Sequence, residues 1–425
     1  MRRSGGRRGA RGLRAVAAVV VMVTASVVVP ASMASADSIR DAEYWLDDYG
    51  VRQAWNTSRG AGVTVAVIDT GVDSSITELK DAVVGGTDMS GQGAPNGQKP
   101  VGDDPTHGSL VASMLAGRGT GQGDGVIGVA PEAKVLSVSV GFGAGAKDSD
   151  TQIADAVRWS VDNGASVINM SLTRNTLDWP TSWDDAFLYA MKHDVVIVAA
   201  AGNRGSGTTE VGAPATMPGV LTVAGVDRSG AASFDASSQG ITIGVAAPSE
   251  DLVGAGPGNV HYKWSGTSGA TPLVAGIVAL VRSAHPELDA DDVINRVVST
   301  AKPKGTSDPD PLYGHGLVDA SAAVTAPVAS VTTNPMGDLA DWVRLHRRAD
   351  VTPPPSSSAS TVPVEPDATP TDITAPRPSL QALLPTVETM RSTGIPVIVF
   401  TFFGAALLAV LWGAYRQFKR TRDEE

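Results

Sequence analysis

Short apolar runs alternate with amphipathic helical patterns through the middle of this chain, and this alternation narrows its fold more than any other property. Runs such as GVTVAVIDTG (62–71), AKVLSVSV (133–140) and VVIVAAAGN (195–203) are apolar at most positions, as expected of strands buried on both faces. Helical patterns lie between such runs, for example at 151–164 and 182–194. The alternation predicts an α/β fold with a mostly parallel central sheet and helices on both faces.

Composition excludes several classes of function. The 425 residues include no cysteine, which rules out a thiol nucleophile, a disulfide framework and a cysteine-ligated metal. The formal net charge is −11, and it becomes −17 without residues 1–36, which hold six arginines and no acid. Because phosphate binding needs clustered lysine and arginine, we expect no nucleic-acid partner.

The N-terminus has the layout of an export signal. Six arginines precede the apolar run AVAAVVVMVTASVVV, and an Ala-Ser-Ala sequence ends at Ala36. A charged region, an apolar region and a small-residue site in this order predict a signal peptide cleaved after Ala36. An uncleaved signal anchor is the alternative.

The C-terminus has the layout of a membrane anchor. Residues 395–415 carry no charge over 21 positions, and such a helix spans about 31 Å, close to the thickness of a bilayer core. Arg416, Lys419, Arg420 and Arg422 follow, which places the tail in the cytoplasm and the main domain outside the cell. A buried core helix is the alternative.

A spacer rich in proline, serine and threonine separates this run from the rest. Residues 351–380 contain eight prolines and too little apolar surface to fold alone. The predicted organisation is a signal peptide (1–36), an N-terminal extension (37–56), a globular domain (57–325), a linker (326–394), a transmembrane helix (395–415) and a cytoplasmic tail (416–425).

Three candidate reactive residues lie at element boundaries of the predicted sheet. Asp69 ends the first strand, while His107 and Ser268 each come just before a predicted helix. A serine hydroxyl needs a base to take its proton, and the imidazole needs a carboxylate to hold its tautomer. The order Asp, His, Ser is one of those known for such a triad. Taken singly, the three could be a turn former, a core histidine and a helix cap.

A second order of catalytic residues fits less well. In α/β-hydrolases the nucleophile lies in G-x-S-x-G and precedes its acid and histidine. Here Ala270 occupies the last glycine position after Ser268. The downstream His285, His315 and His346 are therefore poor candidates for the base.

Five sequence blocks resemble the successive signatures of the subtilisin-like serine peptidases, the subtilases. They are distributed over about residues 50–325, the whole globular part, and are VAVIDTGVD (65–73), THGSLVASMLAG (106–117), NMSL (169–172), AAAGN (199–203) and GTSGATPLVAG (266–276). The export signal and C-terminal span also resemble the membrane-anchored mycosin branch of type VII secretion systems, a resemblance that implies secretion-system partners.

The resemblance implies a role for each matching residue. Ser268 would attack the scissile carbonyl, His107 would accept its proton, Asp69 would orient His107, and the Asn203 amide would donate to the oxyanion together with the Ser268 N–H. Extended substrate would pair with two flanking segments, and further contacts would come from the strand before Asn203. The implied substrate-binding residues are Ser139, Val140, Gly141, Ser171, Leu172, Thr173, Ala201 and Gly202. Small residues at 199–202 suggest an open substrate pocket.

The chain departs from the family pattern near both reactive groups. Thr106 and Ser109 flank the histidine where the family carries Gly and Thr, and Gly269 follows the nucleophile where a larger apolar residue is usual. Only about 32 residues separate Asp37 from Asp69, too few for an independently folding prodomain. We expect residues 41–55 to pack on the domain as a fixed extension.

The leading hypothesis is an exported, membrane-anchored serine endopeptidase acting through an acyl-enzyme. The alternatives are a scaffold that keeps the fold and acts by binding in a secretion complex, and an esterase using the same groups. We expect no cofactor and no required metal, because acidic loops such as that at Asp308 and Asp310 are usually solvated and the histidine spacing fits no zinc site.

Overall fold

The computed structural model describes residues 39–121, 124–143 and 145–347. The expected signal peptide, transmembrane helix and cytoplasmic tail all lie outside these residues, as does most of the expected linker. The described residues all belong to one compact unit.

A seven-stranded sheet with every neighbouring pair parallel lies at the centre of the fold. The spatial order of its strands is β2-β3-β1-β4-β5-β6-β7. The strands are β1 Thr64–Asp69, β2 Val83–Asp88, β3 Lys134–Ser139, β4 Val167–Met170, β5 Val196–Ala200, β6 Leu221–Val226 and β7 Ile243–Pro248. The predicted α/β class and mostly parallel sheet are thus confirmed.

Burial explains why these segments read as continuous apolar runs. Strands β4, β5, β6 and β7 are buried at every position, and β1 at all but its first. Helices that cover both faces of a parallel sheet leave no solvent-facing side on which polar residues would alternate. Strand β1 pairs with β3 on one side and β4 on the other, so the order reverses beside it. The carboxyl end of β1 is therefore the expected place for a ligand.

An antiparallel hairpin lies outside the sheet and leads to the nucleophile segment. Its strands are β8 Leu252–Gly256 and β9 Val260–Trp264. The helices of the described residues are α1 Ile39–Ala42, α2 Trp45–Asp48, α3 Val51–Ala54, α4 His107–Ala116, α5 Ser149–Asp162, α6 Thr181–Lys192, α7 Thr267–Ala284, α8 Ala290–Ser299, α9 Ala320–Thr325 and α10 Leu339–His346.

Helix α7 runs through the core. Its residues from Gly269 to Val281 are all buried. Pro272 has no N–H to donate to the carbonyl oxygen of Ser268 four residues earlier, and that oxygen accepts the Ser171 hydroxyl instead. Of the described helices, α7 is the one long and apolar enough to cross a bilayer. Since most of it is packed inside the domain, we treat it as a core helix.

The N-terminal extension packs on the domain, as expected of residues 41–55. Trp45 and Leu46 lie in the core. The Arg40 guanidinium donates to the carbonyl oxygens of Asp124 and Gly125, at 2.8 and 2.9 Å. The buried Glu43 carboxylate accepts from the Ile127 N–H at 3.0 Å.

The boundary expected at residue 325 is too early. Asp338 caps the N-terminus of helix α10, and Leu339 is buried. The centroids of the Trp342 and Trp179 rings lie 4.3 Å apart. Arg347 then pairs with the buried Asp184 at 2.8 Å. These aromatic and charged contacts keep residues up to 347 on the domain, although the sequence between 326 and 338 has no clear periodicity.

Candidate active site

Asp69 and His107 meet at the carboxyl end of β1. Asp69 Oδ1 lies 2.8 Å from His107 Nδ1 and also accepts the Thr70 N–H at 2.7 Å. His107 is the first residue of α4, and a Cβ on Gly108 would lie 2.4 Å from the Gly71 carbonyl oxygen. This close approach brings the histidine up to the end of the strand, so the pair depends on glycine at 108.

The environment of His107 favours its protonated form. Burial by itself lowers the pKa of His107, but the charge and hydrogen bond of Asp69, with a smaller contribution from Asp104, outweigh burial. The pKa of His107 therefore lies above its usual value. An imidazole held by a carboxylate through Nδ1 has Nε2 left to exchange a proton.

Ser268 lies in the first turn of α7 and exchanges hydrogen bonds with Ser171. Its Oγ donates to the Ser171 carbonyl oxygen at 3.2 Å, and Ser171 Oγ donates to the Ser268 carbonyl oxygen at 2.8 Å. Ser171 directly follows β4, the neighbour of β1. The reciprocal bonds therefore fix the start of α7 against the same edge of the sheet that carries Asp69.

Trp264 joins the histidine side of the site to the serine side. Its ring lies edge-on to that of His107, with 5.6 Å between centroids. A Cβ on Gly269, the residue after Ser268, would lie 3.3 Å from the same tryptophan ring and 2.2 Å from Leu252 Cδ1. The glycine that departs from the family pattern is therefore required by the hairpin packed over it.

Asn203 is oriented by the residue before the nucleophile. Its Oδ1 accepts from Thr267 N–H at 2.8 Å and from Thr267 Oγ1 at 2.9 Å. The side-chain NH₂ must then point away from Thr267, where it can donate to another oxygen. Gly266 has a φ of +146°, and a Cβ there would lie 3.1 Å from Asn203 Nδ2. Thr267 was not predicted from the sequence, although it is part of the GTSG block.

The expected substrate-binding segments differ in how free their backbones are. Both backbone groups of Gly141 are bonded to the Gln152 side chain, so its pairing with substrate, which stays a prediction, would have to share or replace these bonds. The Val140 N–H donates to the backbone carbonyl oxygen of Asp69, and the Ser139 hydroxyl donates to the Asp88 carboxylate. By contrast, the backbone groups of Leu172 have no partner among the described residues.

The residues before Asn203 hold it in place. The Ala201 N–H donates to Val223 at 3.0 Å and the Gly202 N–H to Thr267 Oγ1 at 3.1 Å, while the Gly202 carbonyl accepts from Ser238. Ala201 and Gly202 thus support Asn203 with most of their own hydrogen-bonding groups. Thr173, at the other side of the cleft, turns its hydroxyl to the Arg174 carbonyl.

Comparison with known proteins agrees with this geometry. Residues 60–316 match the Subtilase family. Subtilisin E of Bacillus subtilis is 38% identical over 267 residues, which are 62% of this chain and 66%, just under two thirds, of that relative. Subtilisin DY of Bacillus licheniformis is 37% identical over 268 residues, covering 62% of this chain and 92% of the relative.

Solved structures give the same result for the fold. MycP1 with its N-terminal propeptide removed superposes with a TM-score of 0.60 at 31% identity, covering 68% of this chain and 98% of that one. MycP1 from Mycobacterium smegmatis gives a TM-score of 0.58 at 30% identity, covering 67% and 85%. The MycP3 protease of the ESX-3 type VII secretion system gives 0.55 at 32% identity, covering 66% and 87%. On its sequence, its sheet and its site, this chain belongs to the subtilase family of serine peptidases.

Proposed function

We propose that this protein is an exported, membrane-anchored serine endopeptidase that cleaves peptide bonds through Asp69, His107 and Ser268. The observation that carries the proposal is the 2.8 Å contact between Asp69 Oδ1 and His107 Nδ1, together with the tryptophan that touches both His107 and the residue after Ser268. The family match supports the same reaction class. Export and anchoring rest on the sequence of residues 1–36 and 395–415.

In the proposed first step, Ser268 Oγ exchanges its bond to Ser171 for one to His107 Nε2 and attacks the substrate carbonyl. His107 takes the hydroxyl proton, and the Asp69 carboxylate stabilises the resulting imidazolium. The protonated imidazole then gives its proton to the leaving amine, and an acyl-Ser268 ester remains. Water, activated by the same imidazole, hydrolyses that ester in the second half of the reaction.

The negative oxygen of the tetrahedral intermediate is stabilised by the Asn203 NH₂ and the Ser268 N–H. Two donors of Thr267 already hold Asn203 Oδ1, so the Asn203 side chain needs little reorientation when the negative charge develops on the oxyanion. The backbone of Leu172, which no other described residue pairs with, offers an edge on which an extended peptide can add as a strand. Extended polypeptide is therefore the proposed substrate form.

Partners follow from the structural neighbours. One MycP1 structure is described as that of a serine protease essential to the type VII (ESX-1) secretion system. We extend that context to this chain as part of the proposal, with the catalytic domain outside the cell and the tail in the cytoplasm.

A fluorophosphonate probe tests the activity directly. We expect the folded 425-residue chain in detergent to be labelled on one serine, identified as Ser268 by peptide mass, and Ser268→Ala to abolish labelling and peptide cleavage. Folded protein that takes no label would favour a scaffold that only binds. Labelled protein that hydrolyses esters but no peptide would favour an esterase.

A further inference from the structure

The space beside Gly202, next to the proposed oxyanion donor, is closed by a neighbouring side chain. Gly202 has a φ of +104°, and a Cβ built there would lie 2.7 Å from Thr208 Cγ2. Thr208 is only 5% exposed, and its N–H donates to the Asn203 carbonyl at 3.1 Å. The turn after Asn203 therefore folds back and packs a threonine methyl group against the strand that precedes Asn203.

The same threonine reaches across to the opposite side of the cleft. Thr208 Oγ1 donates to Asn175 Oδ1, and Asn175 lies two residues after Thr173. We name these two residues the Thr208–Asn175 crosspiece. It connects the segment 201–203 to the continuation of the segment 171–173, which are the two segments proposed to flank the substrate.

The two ends of the crosspiece differ in burial, because Thr208 is buried whereas Asn175 is exposed and follows an anchored backbone segment. The Ser238 hydroxyl donates to the Thr208 carbonyl, and both residues are buried. On the other side, the Arg174 N–H donates to Ala213 at 2.7 Å, and a Cβ on Gly212 would lie 1.8 Å from the Arg174 carbonyl oxygen. Because Thr208 is buried and both its N–H and its carbonyl are bonded, its side chain cannot swing aside at little cost.

Beyond the crosspiece lies a crevice of about 120 Å³. Its lining includes Thr208 and Asn175, with residues 176–177 and 209–211, but none of residues 171–173, 201–203 or 268. Because Thr208 packs against Gly202 and also lines the crevice, its side chain lies between segment 201–203 and this empty space.

We infer that the Thr208–Asn175 crosspiece is the floor of the specificity pocket and restricts the residue before the cleaved bond to a small side chain, such as Ala, Ser or Gly. The inference rests on the proposed function. In acyl transfer the attacked carbonyl oxygen points to Asn203, so the side chain one bond away from that carbonyl enters between segments 171–173 and 201–203. The open pocket suggested by the small residues at 199–202 is therefore filled from outside those residues by Thr208.

Two substitutions at the same position separate the bulk of Thr208 from its hydrogen bond. Thr208→Ala removes the methyl group and the hydroxyl, and connects the cleft to the crevice. Thr208→Val keeps the bulk and removes only the bond to Asn175. Thr209→Ala is the matched control, because Thr209 is the exposed neighbour in the same turn.

The measurement is kcat/KM on two peptide substrates that differ only in Ala or Phe before the scissile bond, with the cut identified by product mass. We expect the wild-type chain to prefer Ala by at least about tenfold, Thr208→Ala to reduce that preference about tenfold, and Thr208→Val and Thr209→Ala to keep it. Fluorophosphonate labelling of Ser268 at the wild-type rate shows that each variant remains folded.

The outcomes distinguish this inference from the proposed function. Wild-type protein that is labelled on Ser268 but cleaves the Phe and Ala peptides equally well would contradict the role of the crosspiece as pocket floor and leave the peptidase assignment intact. An unchanged preference in labelled Thr208→Ala would do the same. Absence of both labelling and cleavage would overturn the proposed function, and the inference with it.

Discussion

Two histidine–carboxylate pairs in this protein look alike but differ in what surrounds them. His107 Nδ1 lies 2.8 Å from Asp69, and His261 Nε2 lies 2.7 Å from Glu78. In both pairs the carboxylate is buried, at 2% and 0% exposure, and the imidazole is partly exposed, at 22% and 26%. Each carboxylate also has one buried oxygen without a partner in the described part of the chain, Asp69 Oδ2 and Glu78 Oε2. Distance and burial alone therefore do not distinguish a reactive pair from a structural one.

What distinguishes the pairs is what the free ring nitrogen can reach. His107 is bonded through Nδ1, which leaves Nε2 to exchange a proton, and its ring packs edge-on against Trp264, the residue that also lies beside Gly269. His261 is bonded through Nε2 on strand β9, beside a second contact in which Asn259 Oδ1 accepts the Thr77 N–H at 2.8 Å. The second pair ties the hairpin to the turn after β1, so we assign it a structural role.

The largest expected difference between the pairs is in rate. His107→Ala should lower kcat for peptide hydrolysis by about 10⁶, because the serine loses its base. His261→Ala should leave kcat within about threefold, since no reacting group contacts it. Initial rates on one peptide substrate, with active sites counted by fluorophosphonate labelling of the wild type, measure both.

Non-additivity provides the control for that measurement. Adding Ser268→Ala to His107→Ala should cause little further loss, because residues of one catalytic unit fail together. A loss of similar size in His261→Ala and His107→Ala would remove the distinction between the pairs.

The loss of stability should follow the opposite order, with His261→Ala losing more unfolding free energy than His107→Ala. In His261→Ala the Glu78 carboxylate keeps no side-chain partner among the described residues, which should cost about 1–3 kcal/mol of unfolding free energy. Asp69 retains the Thr70 N–H in His107→Ala, so that variant should lose less. Thermal unfolding of both variants, on a Ser268→Ala background that prevents self-cleavage, measures the difference. A lower Tm for His107→Ala than for His261→Ala would contradict it.

The contrast between the two pairs also shows which parts of the fold and site can be predicted from the sequence. Asp69, His107 and Ser268 were identified because each lies in a short block whose neighbours are constrained, such as the glycine at 108 and the buried strand before Asp69. The strands were identified for a similar reason, since burial on both faces makes them continuously apolar. Residues that are constrained by their neighbours in the chain can therefore be recognised from short stretches of sequence.

The remaining contacts leave no such pattern. His261 and Glu78 are 183 residues apart and neither lies in a recognisable block. Thr208 and Asn175 are 33 residues apart, and a threonine in a glycine-rich turn gives no sign of what it packs against. The contact of Trp342 with Trp179 is equally remote, which is why the domain was expected to end at 325. Each of these contacts depends on how distant loops pack against one another, and the hydrophobic periodicity of the sequence carries no information about that packing.

The smallest expected effect concerns the pH dependence of the reactive pair. His107 must be neutral to act as a base, so kcat/KM should rise with pH through the pKa of His107 in the free enzyme. That pKa is raised by Asp69 and, to a smaller extent, by Asp104, so the acid limb should lie above the usual histidine value of about 6.5.

Asp104→Asn isolates the smaller contribution, because Asp104 is exposed and its charge acts on His107 without being part of the pair. Removing that charge lowers the pKa of His107, so the acid limb of kcat/KM should move to lower pH while the plateau stays near the wild-type value. Asp103→Asn, an exposed neighbour absent from the charges that act on His107, should leave the limb in place. Added salt should reduce the difference between Asp104→Asn and the wild type, since it screens an exposed charge. A limb that stays in place in Asp104→Asn, or moves to higher pH, would contradict the predicted influence of Asp104 on His107.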